Sequence, residues 1–359
     1  MINKISKFVI LLVLVVVCTC CQRGQNNDRK PVTRMLSGTK MMVDYLEGGR
    51  LLGTYENYIF LQESRDTSRL VVYQVEGDSL KRFKGLIDRG RGPYDFYYPG
   101  FSFYGDTLFV CNADPSGIKK VYGISLAEMS TIDDFDRWKE YVFPNPDMMT
   151  WDIYTSFGSG RFLVAGGEYD TRQVFSMADC VAAECEPILY WPNDSTEYSF
   201  LSKQMVYMNC ALCSRGDRVC YAHSEARYMF IGKVDNNSLS EIKTIYSSLP
   251  KYEVKPDGNI RYGKDGEYGI KLSSTEEYIF AMLGRKLKEA QASKLYKGYP
   301  NRYFDEIEVY DWDGTFVANY QTDIPFYSHT VTSDNHFLYI LTMDLESSEE
   351  CIVRYELPL

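Results

Sequence analysis

The sequence predicts an all-β protein, a six-bladed β-propeller with short helical insertions. The first observation is that a pair of short apolar strands returns six times along the 359 residues. The second is that the returns are evenly spaced, which is typical of a repeat architecture. The third is the abundance of Tyr (30) and Phe (19), residue types that favour strands. Strand pairs at such a period are typical of propellers, whose blades are four-stranded sheets around a central channel.

Each repeat contains a first strand and, after a short connection, a second strand. The first strands start 50 to 59 residues apart, at Tyr58, Leu108, Phe162, Val219, Tyr278 and Phe337. The second strands start at Leu70, Ile118, Gln173, Tyr228, Ile307 and Cys351. A β-sandwich pair is the alternative fold, but a sandwich does not require so regular a period. The segment from Thr39 to Gly53 precedes the first complete pair, and we expect it to supply the strand that closes the ring against the last blade.

Two segments interrupt the β pattern and account for the predicted helical insertions. The segment from Gly284 to Tyr296 contains helix-forming residues and no breaker after its first glycine. The segment from Leu126 to Phe143 is the second candidate for a short helix. Such insertions either bind a partner at one face of a propeller or cover an exposed sheet edge, and both alternatives stay open.

The N-terminus predicts export. Residues 1–20 have a basic start, an apolar run from Phe8 to Val17, and then small residues and cysteines. The run is shorter than the roughly 20 residues that span a bilayer, and its order is that of a secretory signal. Cys20 and Cys21 both follow the run, and a cysteine at this place resembles the lipidated first residue of a bacterial lipoprotein. An ordinary cleaved signal with incidental cysteines is the alternative.

These features give a domain plan and an expected location. Residues 1–20 are predicted to be a lipoprotein signal peptide, residues 21–38 a polar flexible tether, and residues 39–359 the propeller. We therefore expect an exported protein, lipid-anchored in the outer membrane or at the periplasmic face of a Gram-negative envelope, which contacts the membrane only through its anchor. The net charge of −10 disfavours nucleic acid as a partner, because an acidic surface repels phosphate backbones.

Seven cysteines follow Cys21, an odd number that a full set of disulfides cannot use. They are Cys111, Cys180, Cys185, Cys210, Cys213, Cys220 and Cys351. Three alternatives are open: buried thiols that act as small apolar residues, one or two disulfides, and a four-thiolate zinc site that combines the Cys210–Cys213 pair with Cys180 and Cys185. Buried thiols are favoured, because several of these cysteines lie inside apolar runs.

Two motifs carry a resemblance to a known family. They are "GRGPYDF" from Gly90 to Phe96 and "FDEIEVYDWDGTFVANYQTDIP" from Phe304 to Pro325. Together with the signal and the six repeats, they resemble the TolB-like six-bladed propeller lipoproteins of Bacteroidota. The resemblance covers residues 40–359 and implies an envelope lipoprotein with a propeller domain. It implies no reaction, cofactor or catalytic residue.

The glycine-rich stretch beside Arg89 is interpreted as a turn between blades and not as a phosphate-binding loop. It consists of Gly90, Arg91, Gly92 and Pro93. It lacks the third glycine of a dinucleotide loop and the Lys-Ser/Thr pair of a P-loop. Pro93 also removes an amide that would bind an anion. Arg89 and Arg91 remain as candidate binding residues.

Among the three histidines, His223 and His336 are candidate binding residues, because they lie in or beside first strands; His329 has no assigned role. Asp311 and Asp313 are half of a calcium loop at most, and Asp-Gly between strands instead predicts a two-residue hairpin turn. The sequence contains no common metalloprotease, serine hydrolase or Walker A motif.

The predicted function is a binding platform. We expect the propeller to bind a protein, peptide or glycan partner at one face of the ring, without a cofactor or metal and without established catalysis. The alternative is a calcium-dependent hydrolase or lactonase with an active site in the channel. Residues 111–114 and 165–168 could supply ligands for such a calcium ion.

Overall fold

Strands make up most of the described residues from Arg34 to Leu359 in the computed structural model. The residues that the structure describes are 32–43, 46, 49–63, 68–88, 96, 99–113, 119–144, 153–167, 172–235, 237–263, 269–284, 304–344, 347 and 349–359. Within these ranges no helix combines the length and the apolar character that crossing a membrane requires.

Six sheets of antiparallel strands succeed one another along the chain and form the six blades of a β-propeller. Three short strands precede them: β1 (Thr33–Leu36), β2 (Thr39–Lys40) and β3 (Met42–Val43). Blade 1 contains β4 (Gly49–Tyr55), β5 (Tyr58–Glu63), β6 (Ser68–Glu76) and β7 (Ser79–Asp88); blade 2 contains β8 (Gly100–Tyr104), β9 (Thr107–Ala113), β10 (Lys119–Ser125) and β11 (Lys139–Val142). Blade 3 contains β12 (Tyr154–Ser156), β13 (Arg161–Ala165), β14 (Phe175–Asp179) and β15 (Glu184–Ile188).

The second half of the chain repeats this plan. Blade 4 contains β16 (Cys210–Arg215), β17 (Arg218–His223), β18 (Tyr228–Asp235) and β19 (Ser238–Ser247), and a separate hairpin of β20 (Tyr252–Val254) and β21 (Ile260–Tyr262) follows it. Blade 5 contains β22 (Ile270–Ser274), β23 (Tyr278–Gly284), β24 (Phe304–Asp311) and β25 (Phe316–Phe326); blade 6 contains β26 (Ser328–Val331), β27 (Phe337–Met343) and β28 (Glu350–Glu356). The described α-helix is α1 (Phe200–Tyr207).

The first strand of each blade is the innermost, so the six inner strands surround the channel and run in the same direction. Their starts define one end of the channel, called here the loop face: Gly49, Gly100, Tyr154, Cys210, Ile270 and Ser328. The connections between the second and third strands, and from each outer strand to the next blade, also reach this face. The opposite end, called the hairpin face, holds the turns between first and second strands.

The ring is closed by the N-terminal segment. The chain's C-terminal part supplies three strands of blade 6, and β2 adds the fourth, antiparallel to β28, with Thr39 opposite Arg354 and Lys40 opposite Val353. On either side of it, β1 joins the outer edge of blade 5 and β3 pairs in parallel with β7 of blade 1. The predicted closing strand is therefore confirmed, and one short segment links three blades.

Side chains of neighbouring blades interdigitate because successive residues of a strand point to opposite faces of its sheet. In β5, Ile59 and Leu61 pack toward blade 6, whereas Phe60 between them packs toward blade 2. All three are fully buried. Each of the six apolar clusters lies at a seam between two blades, so a blade buries its surface only when both of its neighbours are present.

The predicted all-β propeller with six blades is confirmed. The predicted first and second strands are the second and third strands of each blade, and the structure adds the inner and outer ones. The propeller begins before residue 39, because β1 lies inside the stretch predicted as a tether over residues 21–38. Residues 1–20, with Cys20 and Cys21, lie outside the described residues.

The helix predictions had mixed outcomes. The segment from Leu126 to Phe143 forms two 3-10 turns (Met129–Thr131 and Phe135–Arg137) before β11, and not an α-helix. The second predicted helix, beyond Gly284, lies outside the described residues. The helix α1 was not predicted.

The turn between β24 and β25 is longer than the sequence predicted. Asp311 and Thr315 form its closing pair, so three residues lie within the closing pair instead of two. Gly314 follows a β-turn and has φ of 72°, the left-handed conformation that glycine adopts without strain. Asp311 Oδ1 accepts the amides of Asp313 and Thr315 at 3.0 and 2.6 Å, so this carboxylate stabilises the turn.

Closure provides a test at the residue that precedes β2. A Cβ at Gly38 would lie 2.3 Å from Val353 Cγ1 and 2.7 Å from the ring of Tyr355. Gly38→Ala is expected to lower the free energy of unfolding by about 1–3 kcal/mol, because overpacking forces the closing strand away from β28. Gly232→Ala, where the nearest atoms are at 3.5 Å, is the control and is expected to have little effect. Equal stabilities of the two variants in urea unfolding would contradict this role of closure.

Candidate functional site

Two long connections at the loop face fold together into a structure that we call the cap. The first connection, residues 189–209, joins blade 3 to blade 4 and contains α1. The second contains the β20–β21 hairpin and joins blade 4 to blade 5. Aromatic side chains from both connections pack on the seam between blades 3 and 4, where Tyr207 is fully buried. The cap is therefore a built feature of this face and not a loose loop.

Asp194 is the centre of the cap. Its Oδ2 accepts hydrogen bonds from the hydroxyls of Tyr252 (2.8 Å) and Tyr207 (3.1 Å), and its Oδ1 accepts the amide of Thr196 (2.9 Å). Burial alone would raise the pKa of this carboxyl, but these hydrogen bonds to the charged form outweigh it and lower the pKa. One charged group thus connects the hairpin, α1 and the preceding loop.

The start of α1 is fixed by local hydrogen bonds. Ser199 is the N-cap, and its hydroxyl accepts the amide of Ser202 at 3.2 Å. Lys203 is buried, and its ammonium donates to the carbonyls of Asp194 (3.1 Å) and Thr196 (2.6 Å). The lysine therefore compensates its burial by closing the loop that leads into the helix.

The underside of α1 rests on blade 4 through His223, the last residue of β17. His223 Nε2 donates to the carbonyl of Val206 at 2.9 Å, and its Nδ1 accepts the amide of Glu225 at 3.0 Å. Both ring nitrogens are thus used inside the protein, and burial lowers the pKa of His223 to about 4. Nearby, Tyr221 donates its hydroxyl hydrogen to the carbonyl of Tyr207 at 2.8 Å.

The helix α1 exposes two apolar side chains, Phe200 in its first turn and Met205 on the side away from the ring, which together are called here the apolar ridge. Their side chains are 41% and 44% exposed. Trp191 packs its ring edge-on against Phe200, with 5.7 Å between the centroids, and the guanidinium of Arg172 lies 5.8 Å from the centroid of the Phe200 ring. An apolar surface on a rigid helix, bordered by an aromatic and an arginine, is suited to contact with another protein.

The loop-face end of the channel carries positive charge near the seam of blades 5 and 6. His329, on the inner strand β26, is 6% exposed and packs against Phe326. Lys271 on β22 donates to the carbonyl of Tyr327 at 2.6 Å. Burial, and then the charges of Lys271 and Arg50, hold the pKa of His329 well below its usual value. This imidazole is therefore neutral at pH 7, and its Nε2 has no hydrogen-bond partner within the described part of the chain.

The candidate binding residues from the sequence do not converge on one site in the described structure. His223 lies at the loop face beneath the cap, whereas His336 is exposed in the turn before β27, at the hairpin face. Arg89, Gly90, Arg91, Gly92 and Pro93 lie outside the described residues, in the connection between β7 and β8. Their roles stay predictions.

The seven thiols do not assemble a four-cysteine site. Cys210 and Cys213 lie three residues apart on β16, so they point to opposite faces of blade 4. Across the ranges given above, no group of three or more His, Cys, Asp or Glu side chains could hold a metal ion. Asp114 and Glu168, the acids in the segments considered for calcium, lie outside the described residues.

Comparisons with known proteins support a general likeness only. No family model matches the sequence, and no curated protein matches it. The β-propeller domain of Cps50 (Swd1) from Myceliophteria thermophila is 11% identical, with a TM-score of 0.41 over 86% of this chain and 97% of that one. The structure of YjhT is 10% identical, with a TM-score of 0.44 over 90% of this chain and 94% of that one. At these values the likeness says nothing about function.

The buried histidine beneath α1 predicts acid sensitivity. The pKa of His223 is about 4 in the folded protein, against an ordinary value of 6.5, so below pH 6.5 the unfolded chain binds a proton that the folded protein does not. Stability is therefore expected to fall between pH 6.5 and pH 4, by on the order of 3 kcal/mol from this group. Urea unfolding at several pH values should show a smaller fall for His223→Gln.

The control for this measurement is Gln204→Leu. It removes a neighbouring buried hydrogen bond, from Gln204 Nε2 to the carbonyl of Gln173 (2.9 Å), but leaves His223 in place. We expect the control to be less stable at every pH with the pH dependence of the wild type. An unchanged pH dependence in His223→Gln would show that another group causes the acid sensitivity.

The role of Asp194 predicts that one substitution loosens the whole cap. Asp194→Ala removes the acceptor of hydrogen bonds from both connections, and bonds to a charged group are worth about 1.5–3 kcal/mol each. Hydrogen exchange should become at least roughly tenfold faster in α1 and in the β20–β21 hairpin, while β17 and β18 stay protected. Asp257→Ala is the control, because among the described residues the Asp257 carboxylate accepts its hydrogen bonds from Asn259 at the tip of the same hairpin. Faster exchange throughout blade 4 would contradict a local role.

Proposed function

We propose that this chain is an exported, lipid-anchored envelope protein of the TolB-like type whose propeller binds a partner protein through the apolar ridge of the cap. The observation that supports this function best is the exposure of Phe200 and Met205 on a helix that is otherwise firmly attached to the ring. The anchor, on Cys20 or Cys21, would hold the propeller at the membrane while the loop face stays available.

The composition of the ridge favours a protein over a glycan or a small molecule. Methionine and aromatic side chains are enriched in protein interfaces, and tryptophan and arginine are frequent where binding energy concentrates. Trp191 and Arg172 flank Phe200 in this way. A convex, partly apolar helix also lacks the concave shape in which small ligands are usually bound.

The rigidity of the cap supports the same function. A flexible loop would lose conformational freedom when it binds, and this loss weakens association. Here the network around Asp194, the buried Lys203 and the His223 contact hold α1 in place before any partner arrives. The ridge is therefore prepared for binding at little entropic cost.

Photo-crosslinking in the native membrane tests this binding surface. A photoreactive amino acid at Met205 is expected to give a discrete protein adduct, and one at Val317 is expected to give none. Val317 is a matched control, since it is 41% exposed and lies on the outer strand of blade 5. Adding Phe200→Ser should weaken the Met205 adduct severalfold. Equal adducts at both positions, or a Met205 adduct indifferent to Phe200, would refute the ridge as the interface.

The anchor and the absence of catalysis have separate tests. Labelling with radioactive palmitate is expected in the wild type. The label should be lost in one of the two variants Cys20→Ala and Cys21→Ala, the one that removes the lipidated cysteine. Label retained in both single variants and in the double variant would contradict lipidation here.

Stoichiometric calcium in the purified full chain would contradict a pure binding platform and favour the hydrolase alternative.

A further inference from the structure

Two cysteines face each other in the inner hairpin of blade 4. The strands β16 and β17 are joined by Gly216 and Asp217, and Gly216 has φ of 56° in this tight turn. A two-residue turn fixes the register of the strands that it joins. Counting back from the turn, Arg215 pairs with Arg218, Ser214 pairs with Val219, and Cys213 pairs with Cys220.

The positions of this pair meet the geometric requirement of a disulfide. Directly opposed residues of antiparallel strands have Cα atoms about 4.5 or 5.5 Å apart, and a disulfide needs about 4.4–6.8 Å. Opposed side chains also point to the same face of the sheet. The two thiols are in hydrogen-bonding contact, and this contact adds to burial in raising the pKa of Cys220.

The other described cysteines have different neighbours across their strands. Cys210 is opposite His223, Cys185 is opposite Ala178, and Cys351 is opposite Thr342. Cys111 is opposite Gly100 on one side and Val121 on the other. Cys180 follows β14 at the start of a turn. Among the described strand pairs, Cys213 with Cys220 is thus the directly opposed cysteine pair.

We propose that Cys213 and Cys220 form a disulfide in the mature protein, an inference that rests on the exported location in the proposed function. Both are thiols in the structure. The oxidant is a second disulfide, either that of a periplasmic thiol oxidoreductase or a small-molecule one. The half-buried Cys213 attacks one of its sulfurs as the thiolate and releases one thiolate. Cys220 then loses its proton, attacks the mixed disulfide at the Cys213 sulfur and releases the second thiolate.

In this exchange the two cysteines lose two electrons and two protons, and the oxidant becomes two thiols. Cys220 is fully buried and its pKa is raised, so the second step is faster while blade 4 is still folding. The bond would cross-link β16 to β17 three residues from the Cys210–His223 pair on which α1 rests. It would hold in register the hairpin that supports the cap.

Differential alkylation of the full chain tests the bond. The purified protein is denatured and refolded with oxidised and reduced glutathione, free thiols are blocked with N-ethylmaleimide under denaturing conditions, and the remaining disulfides are reduced and labelled with iodoacetamide. Trypsin separates the pair, because cleavage after Arg215 and Arg218 places Cys213 in residues 204–215 and Cys220 in residues 219–227. We expect both to carry the second label and Cys210, in the same peptide as Cys213, to carry the first.

The matched variants are Cys213→Ser and Cys210→Ser. Cys213→Ser is expected to leave Cys220 with the first label, whereas Cys210→Ser should not change the labelling of the pair. Oxidation should also raise the Tm of the wild type, by on the order of 3 °C, and leave that of Cys213→Ser unchanged. Cys213 and Cys220 both carrying the first label after oxidative refolding, or a bond between Cys210 and Cys213, would overturn the proposal. Because refolding in glutathione does not require export, this result is independent of the lipid-anchor test.

Discussion

The propeller depends on the pairing of β2 with β28. Every seam of the ring buries side chains from two blades. Opening the seam between blades 6 and 1 would therefore expose the apolar faces of both blades. The chain runs once around the ring from blade 1 to blade 6, and β2 places a strand of the N-terminal segment in the sheet of blade 6. The pairing is short, but Arg354 reinforces it by donating to the carbonyl of Gly77 (2.8 Å) and to the carboxylate of Asp78 (2.6 Å) on blade 1.

The backbone contact that the N-terminal segment makes with blade 1 also occurs between blades 3 and 4. Where the chain leaves the outer strand β15 of blade 3, Leu189 donates its amide to the carbonyl of Asn237, just before β19 of blade 4, at 2.7 Å. At the closure, Met42 donates its amide to the carbonyl of Asp78, just before β7 of blade 1, at 2.8 Å. The hydrogen bond at the closure is therefore the same as the one where the chain passes from blade 3 to blade 4. The N-terminal segment occupies the place that a continuous chain would take.

The burial of each strand decided whether it could be predicted from the sequence. The second and third strands of each blade are buried on both faces, so they appear as apolar runs and were found. The inner strands were not predicted because their contacts with the channel and with each other are made by polar groups. For example, Thr155 shares a hydrogen bond with Ser214 (2.7 Å), and the Ser328 hydroxyl accepts the amide of Leu51 (2.9 Å). His329 was overlooked for this reason. The helix α1 was not predicted because its exposed residues are apolar and its buried face mixes Lys203 and Gln204 with apolar residues, which obscures the usual amphipathic pattern.

That mixed pattern is also an argument for function. A helix serving only to cover the ring would gain stability from apolar residues inside and polar residues outside. This helix places a lysine and a glutamine inside beside its buried apolar residues, where each needs specific hydrogen-bond partners, and leaves Phe200 and Met205 partly exposed. The polar contacts add to the packing of Val206 and Tyr207 on the seam of blades 3 and 4 and fix one orientation, whereas the exposed apolar ridge contributes little to the stability of the chain alone. An arrangement that forgoes burial in this way becomes favourable when a second molecule covers the exposed side.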